Sequence, residues 1–130
     1  MINGSCCCGA VKFSLASKPE FLAICHCSRC RKLGSSEFFM VQRDSLQWIS
    51  GKELVAEYVP EPPFKYKRCF CSVCGTSLGE ILSTDKQFPI AANSLDSDPD
   101  IKVWLHEHVA SKPSWQLLHK DAKLFDGDPQ

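Results

Sequence analysis

Cys71-Ser72-Val73-Cys74-Gly75 is the stretch whose reading decides the fold. Two cysteines separated by two residues form a chelating turn. The glycine that follows permits the positive φ such a turn needs, and it lets backbone amides approach the thiolates. A structural zinc site is tetrahedral and closed by four protein ligands. One turn giving two sulfurs therefore calls for a second two-sulfur chelate elsewhere in the chain. Cys6-Cys7-Cys8-Gly9 supplies the candidate, through Cys6 and Cys8. This pairing would staple the first strand to a hairpin in the second half. Structural zinc contributes about 10–16 kcal/mol in favourable cases, enough to offset the closure of so long a loop.

The third cysteine group is Cys25-His26-Cys27-Ser28-Arg29-Cys30. In an extended segment Cys25 and Cys27 face one way and His26 the other. A chain reversal through Ser28-Arg29 returns Cys30 to the side of the thiolates. Three thiolates leave a fourth zinc position open, the arrangement of a catalytic or substrate-binding metal. The alternative is that Cys69 or a histidine fills that position and the site is structural. His26 reads as a packing or hydrogen-bonding residue rather than a ligand. Cys7 and Cys69 read as buried small apolar residues outside both sites.

The nine cysteines cannot all pair internally, and clustered thiols in a reducing cytosol read as metal-binding or catalytic. A cytoplasmic location is the expectation, because Met1–Ser5 lacks the basic and apolar regions of a leader. The longest apolar runs, such as Phe21–Cys25, fall far short of the ~20 residues of a membrane span. Fifteen basic and fifteen acidic residues cancel, which argues against a dedicated nucleic-acid binder. Arg29, Arg31 and Lys32, like Lys65, Lys67 and Arg68, read as solvated surface positions.

At 130 residues the chain reads as one domain, residues 1–130. Helical periodicity is scarce and alternation common. Val11, Phe13 and Leu15 alternate with Lys12 and Ser14 as in a half-buried strand. Phe21–Cys25, Glu37–Val41, Leu46–Ile49, Leu54–Val59, Phe64–Phe70, Thr76–Leu82, Phe88–Ala92 and Ile101–Val109 complete the set. Pro60-Glu61-Pro62-Pro63 reads as an extended loop, since proline cannot donate to a ladder. Ser94–Pro99 is a turn-rich loop. Short helical turns are expected only after Cys27 and near Trp115–Lys120, and the tail from Phe125 to Gln130 should fray. The class is therefore mainly β and antiparallel, with little room for crossover helices.

The ordered set of motifs resembles the GFA family, the glutathione-dependent formaldehyde-activating enzymes. Gly4-Ser5-Cys6-Cys7-Cys8-Gly9-Ala10-Val11 is similar to the family's opening G-x-C-x-C-G-x-V. Cys25-His26-Cys27-Ser28-Arg29-Cys30-Arg31-Lys32 matches C-H-C-x-x-C-R-K, and Phe70–Leu78 matches F-C-x-x-C-G-x-x-L. Ser94-Leu95-Asp96, His108-Val109 and Pro113-Ser114-Trp115 resemble the later blocks, so the domain core spans about residues 4–115. Asn93 stands where the family has glycine, and asparagine can also take the left-handed conformation.

The resemblance implies an antiparallel β-rich zinc fold of several small coiled sheets. That fold is shared with Rab exchange factors and methionine-R-sulfoxide reductases. It implies two zincs per chain, a structural one on Cys6, Cys8, Cys71 and Cys74 and a more labile one on Cys25, Cys27 and Cys30. It also implies a carbon–sulfur lyase activity on glutathione, or a related thiol, and formaldehyde or another small aldehyde, with Cys25, Cys27 and Cys30 at the catalytic site. In that reading Arg29, Arg31 or Lys32 holds the thiol's carboxylates, and His26 or His108 moves the proton. Two other readings stand beside it: a non-catalytic zinc module of the same fold, and a thiol redox enzyme using Cys69 or Cys7.

Overall fold

Alternating apolar residues build three small sheets in the computed structural model, which describes residues 1–129. The first sheet joins β1 (Ile2–Ser5), β2 (Lys12–Leu15) and β5 (Leu46–Ser50), with β2 central. The largest sheet contains β3 (Phe21–Cys25), β4 (Glu37–Gln42), β9 (Gln87–Ala91), β10 (Val103–Glu107) and β11 (Lys123–Leu124), in the order β11-β10-β3-β4-β9. The third holds β6 (Val55–Tyr58), β7 (Arg68–Cys71) and β8 (Ser77–Gly79), with β7 central. One short helix, α1 (Ser28–Lys32), follows β3. Among the described residues, no helix is long and apolar enough to cross a membrane.

The core forms where the inward faces of the sheets meet. Val11, Phe13 and Leu15 pack with Phe39, Val41, Phe88 and Ile90, and Leu78, Cys69 and Cys71 of the third sheet close the cluster together with Ile81 from the turn after β8. Pro89 is tolerated inside β9 because β9 is an edge strand of its sheet. Its carbonyl accepts from the Glu80 N–H at 2.8 Å and so links the second and third sheets.

The mainly β architecture of small, largely antiparallel sheets agrees with the sequence reading, with instructive differences. β10 runs parallel to both β3 and β11. Nearly the whole fold, β4 to β9, serves as the crossover between β3 and β10, so no crossover helix is needed. β7 begins at Arg68 rather than Phe64, and the residues before it stay irregular. The stretch from Trp115 to Lys120 forms no helix, only turns at Ser114-Trp115 and Lys120-Asp121.

The tail up to Asp128 does not fray. The N–H groups of His108 and Val109 donate to the carbonyls of Gly127 (2.9 Å) and Phe125 (3.0 Å), and the His108 ring bonds Asp128 (2.8 Å). The expectation for Gln130 lies outside the described residues. Asn93 sits in a 3-10 turn, Ala92–Ser94, and needs no left-handed conformation. Among the described residues the non-glycine positions with positive φ are Asp100 and His108.

Candidate metal centres

Two tight turns bring four sulfurs together. The first turn is closed by Cys6 and Val11 (N–H to O, 3.0 Å) and by Gly9 N–H on the Cys6 carbonyl (3.0 Å). The second is closed by Gly75 N–H on the Cys71 carbonyl (2.8 Å), with Gly75 at φ 78° as the sequence required. Thr76 ties the turns to each other: its hydroxyl accepts from the Cys7 N–H (2.9 Å) and lies 3.1 Å from the Cys74 sulfur. The Sγ atoms of Cys6, Cys8, Cys71 and Cys74 all lie within 4.8 Å of one another.

A tetrahedron with zinc–sulfur bonds near 2.3 Å has edges of about 3.8 Å. The Cys6–Cys8 and Cys8–Cys71 separations are 3.5 and 3.9 Å, so the donor set fits zinc in size as well as in chemistry. Sulfurs this close share protons unequally. The Thr76 hydroxyl leads the groups that hold the Cys74 thiol down to about 5. At Cys8 the Ala10 amide pulls the thiol down, but Cys6 and the other sulfurs push it up to about 12.

Cys25, Cys27 and Cys30 form the second group, their sulfurs also within 4.8 Å of one another. Cys25 ends β3. Cys27 is the N-cap of α1, and its sulfur accepts from the Cys30 N–H at 3.3 Å. A sulfur cap in place of the usual oxygen lets one residue both start the helix and face the Cys25 and Cys30 sulfurs. The single turn of α1 then delivers Cys30 to the same place. Cys25 and Cys30 are buried and Cys27 is half-buried. Among the described residues no fourth metal-ligating side chain joins this group, neither Cys69 nor a histidine.

Arg68, at the start of β7, places Nη2 3.2 Å from the Cys30 sulfur. The hydrogen bond from Cys25 and then the Arg68 guanidinium hold the Cys30 thiol down to about 5, against burial. The same partnership with Cys30 pushes Cys25 up. Burial raises Glu107, which adjoins Cys25. Burial likewise raises Glu80 to about 7, near Arg68, which partly offsets it.

The remaining candidates take varied places. His26 is a hydrogen-bonding residue as expected: its Nε2 lies 2.8 Å from Nδ1 of His106. Burial lowers His26 and takes His106 down to about 4. Cys69 is buried, whereas Cys7 is exposed, contrary to the expectation, because its strand-end turn faces solvent. Arg31 donates from Nε to the His26 carbonyl (3.2 Å). Arg29 lies 3.8 Å over the Phe64 ring and bonds the Tyr58 hydroxyl. Lys32 alone of the three stays exposed without a side-chain partner among the described residues, and with Arg68 and Ser77 it lines a cavity of about 190 Å³.

A larger cleft, about 490 Å³, lies over Leu22, Ile24 and Phe39. By strand alternation that is the face of β3 opposite Cys25. Two residues of consequence escaped the sequence reading. Arg68 looked like surface, and only its place one residue before Cys69 and three before Cys71 hinted at a thiol-rich neighbourhood. His106 lay inside an alternating strand with nothing to mark its partner.

The family model described as glutathione-dependent formaldehyde-activating enzyme matches residues 1–110. A Halomonas elongata protein named "Putative glutathione-dependent formaldehyde-activating enzyme" is 30% identical over 144 residues, covering 99% of this chain and 89% of that one. An uncharacterized lyase of Schizosaccharomyces pombe is 32% identical over 76 residues, 58% of this chain and 54% of that one. A crystal structure of a Rhodobacter sphaeroides protein superposes with a TM-score of 0.60 at 24% identity, covering 74% of this chain and 89% of that one, and shares the fold.

Proposed function

Because this chain belongs to the GFA family, we propose that it is a cytoplasmic, single-domain, zinc-dependent carbon–sulfur lyase that joins glutathione or a related thiol to formaldehyde or another small aldehyde. Cys6, Cys8, Cys71 and Cys74 hold a structural zinc, and Cys25, Cys27 and Cys30 hold a second one. The observation that carries the reading is the three-sulfur group with no fourth protein ligand among the described residues and a guanidinium on one of its sulfurs.

The donor set suits zinc, since thiolates are its preferred soft ligands and three of them leave a position for a substrate. Bound there, zinc supplies a site at which a thiol loses its proton near neutral pH. The chain's own residues do the rest. Arg68 offsets the negative charge that three thiolates accumulate, and its N–H to Cys30 fixes that sulfur. Lys32 and Arg68, the latter bonded to Cys30, line a cavity large enough for a carboxylate-bearing arm of the thiol. In the net reaction the thiol sulfur bonds to the aldehyde carbon, the carbonyl π bond breaks, and the thiol proton ends on the new hydroxyl. Holding the two reactants together supplies most of the acceleration.

The rate of hydroxymethyl-adduct formation, followed by NMR against the spontaneous rate, tests the reading. Acceleration by the wild-type protein and its loss in Cys30→Ser, with fold and structural zinc retained, is the expected result. Protein carrying two zincs that neither binds glutathione nor exceeds the spontaneous rate refutes it. The non-catalytic alternative predicts that Cys30→Ser leaves function intact while Cys71→Ser unfolds the domain.

A further inference from the structure

Between Cys25 and Cys27 stands a residue held at its N–H, its carbonyl and one ring nitrogen. The His26 N–H donates to the Glu107 carbonyl (3.0 Å), and its carbonyl accepts from Arg31 Nε (3.2 Å). Its ring nitrogen Nε2 meets Nδ1 of His106 at 2.8 Å. Both imidazoles are almost wholly buried, His26 at 2% exposure and His106 at 0%, and their planes lie within 17° of each other with centroids 5.0 Å apart, as in two rings joined edge to edge by that bond. Burying two imidazoles is costly unless their nitrogens are bonded, and packing alone would favour apolar side chains here.

The direction of the bonds is fixed by the backbone. The His119 N–H can only donate, and it points at Nε2 of His106 from 3.0 Å. His119 Nδ1 approaches the same nitrogen at 3.3 Å. Nε2 of His106 is therefore an acceptor and carries no proton. A neutral imidazole has one donor and one acceptor, so the His106 proton is on Nδ1. It must then be donated to His26, whose Nε2 accepts and whose own proton sits on Nδ1. A backbone amide thus sets the tautomer of His106, and His106 sets that of His26.

We propose that His106 is a positioning residue for the second metal group. Acting through His26, it locks the segment that carries Cys25 and Cys27 and so maintains the spacing of the three sulfurs. It touches neither metal nor substrate. The inference rests on the reading that Cys25, Cys27 and Cys30 hold a metal, and it names the residue on which their arrangement depends. Loss of an outer-shell partner of a metal site typically lowers metal affinity by about 10- to 100-fold. Because His106 is one residue further removed, the expected loss in His106→Leu is about tenfold, at the lower end of that range. His106→Asn, whose amide N–H sits near the place of Nδ1, should retain most of the affinity.

Two measurements on full-length protein decide it. Long-range nitrogen–proton NMR on the wild type should find both rings in the Nδ1–H tautomer, and an Nε2–H tautomer on His106 overturns the inference. Cobalt(II) titration with chelator competition should show weakened binding at the three-sulfur group in His106→Leu, recovery in His106→Asn, and an unchanged four-sulfur site in both. Equal cobalt affinity in wild type and His106→Leu overturns the inference while leaving the proposed function standing. Wild-type protein that takes no metal at the three-sulfur group overturns both. If His106→Leu does not fold, the wild-type tautomers and the cobalt affinity of His106→Asn still settle the question.

Discussion

Replacing Cys8 by serine should destabilise this protein far more than replacing Cys27, although both side chains reach solvent. Cys8 and Cys71 lie 63 residues apart and meet at 3.9 Å. A metal held between them closes a loop of that length. By the chain-entropy relation for cross-links, such a closure removes about 4 kcal/mol of unfolded-state freedom. The second group is contained within Cys25–Cys30, with Cys27 and Cys30 3 residues apart. Logarithmic scaling of loop entropy makes its cross-link weaker by about 2 kcal/mol.

Unfolding entropy of about 2.1 cal/mol/K per residue converts these figures to melting shifts of about 15 °C for Cys8→Ser and at most about half of that for Cys27→Ser. Serine at exposed Cys8 sacrifices little packing, so the shift reports the staple itself. Scanning calorimetry of both variants, each dialysed against a mild chelator, gives the comparison. Should Cys8→Ser melt within about 3 °C of wild type, or Cys27→Ser fall further than Cys8→Ser, the division of labour between the two groups is wrong.

Further outcomes follow from the same geometry. In the reduced, metal-free protein, Arg68→Met removes a charge-assisted hydrogen bond from Cys30, a thiol held at about 5 by Cys25 first and Arg68 after it. Its pKa should rise by about 1–2 units, read from the pH dependence of alkylation, and an unmoved profile contradicts the role given to Arg68. Burial raises the Glu80 carboxyl to about 7 from the ordinary 4.5, so the folded state favours its protonated form. That advantage is whole below about pH 4.5 and is lost as pH rises through about 7. Wild type should therefore lose stability between about pH 4.5 and 7 relative to Glu80→Gln, and parallel denaturation profiles over that range would dismiss this. A Cβ at Gly79, at φ 69°, would stand 2.7 Å from both the Ile90 Cα and the Pro89 oxygen. Gly79→Ala should cost about 1–3 kcal/mol, and more than Gly34→Ala, where a Cβ at similar φ meets nothing within 4 Å; urea unfolding ranks the two.

The two cysteine groups were legible because the spacing that gathers their sulfurs is a local property. Cys71-x-x-Cys74-Gly75 and Cys6-x-Cys8-Gly9 specify their own turns, and the reversal after Cys27 needed only one helical turn to bring Cys30 back. Alternation likewise announced most strands. What stayed hidden depends on partners far along the chain. Nothing in Ile101–Val109 says that this strand lies parallel to β3, because that register is settled by everything folded between them. His106 is buried on the same strand as Leu105, since that segment is covered on both faces, and a single sequence shows no clue to the imidazole waiting at position 26. Arg68 reads as a surface cation until β7 is laid beside α1 and its guanidinium is found on Cys30. The tail read as frayed because most of its tethers are backbone bonds to His108, Val109 and Ala110, and its side-chain tether, Asp128 to the His108 ring, joins residues 20 apart with no pattern to pair them.

The central claim is that one cysteine group holds the fold and the other meets a thiol. Cobalt(II)-substituted protein titrated with glutathione tests it most directly, through the sulfur-to-cobalt charge-transfer absorption. Two cobalt ions per chain are predicted, with glutathione adding the signature of one further thiolate to wild type and none to Cys30→Ser. A single ion per chain, or a spectrum that glutathione leaves unchanged, would contradict the account.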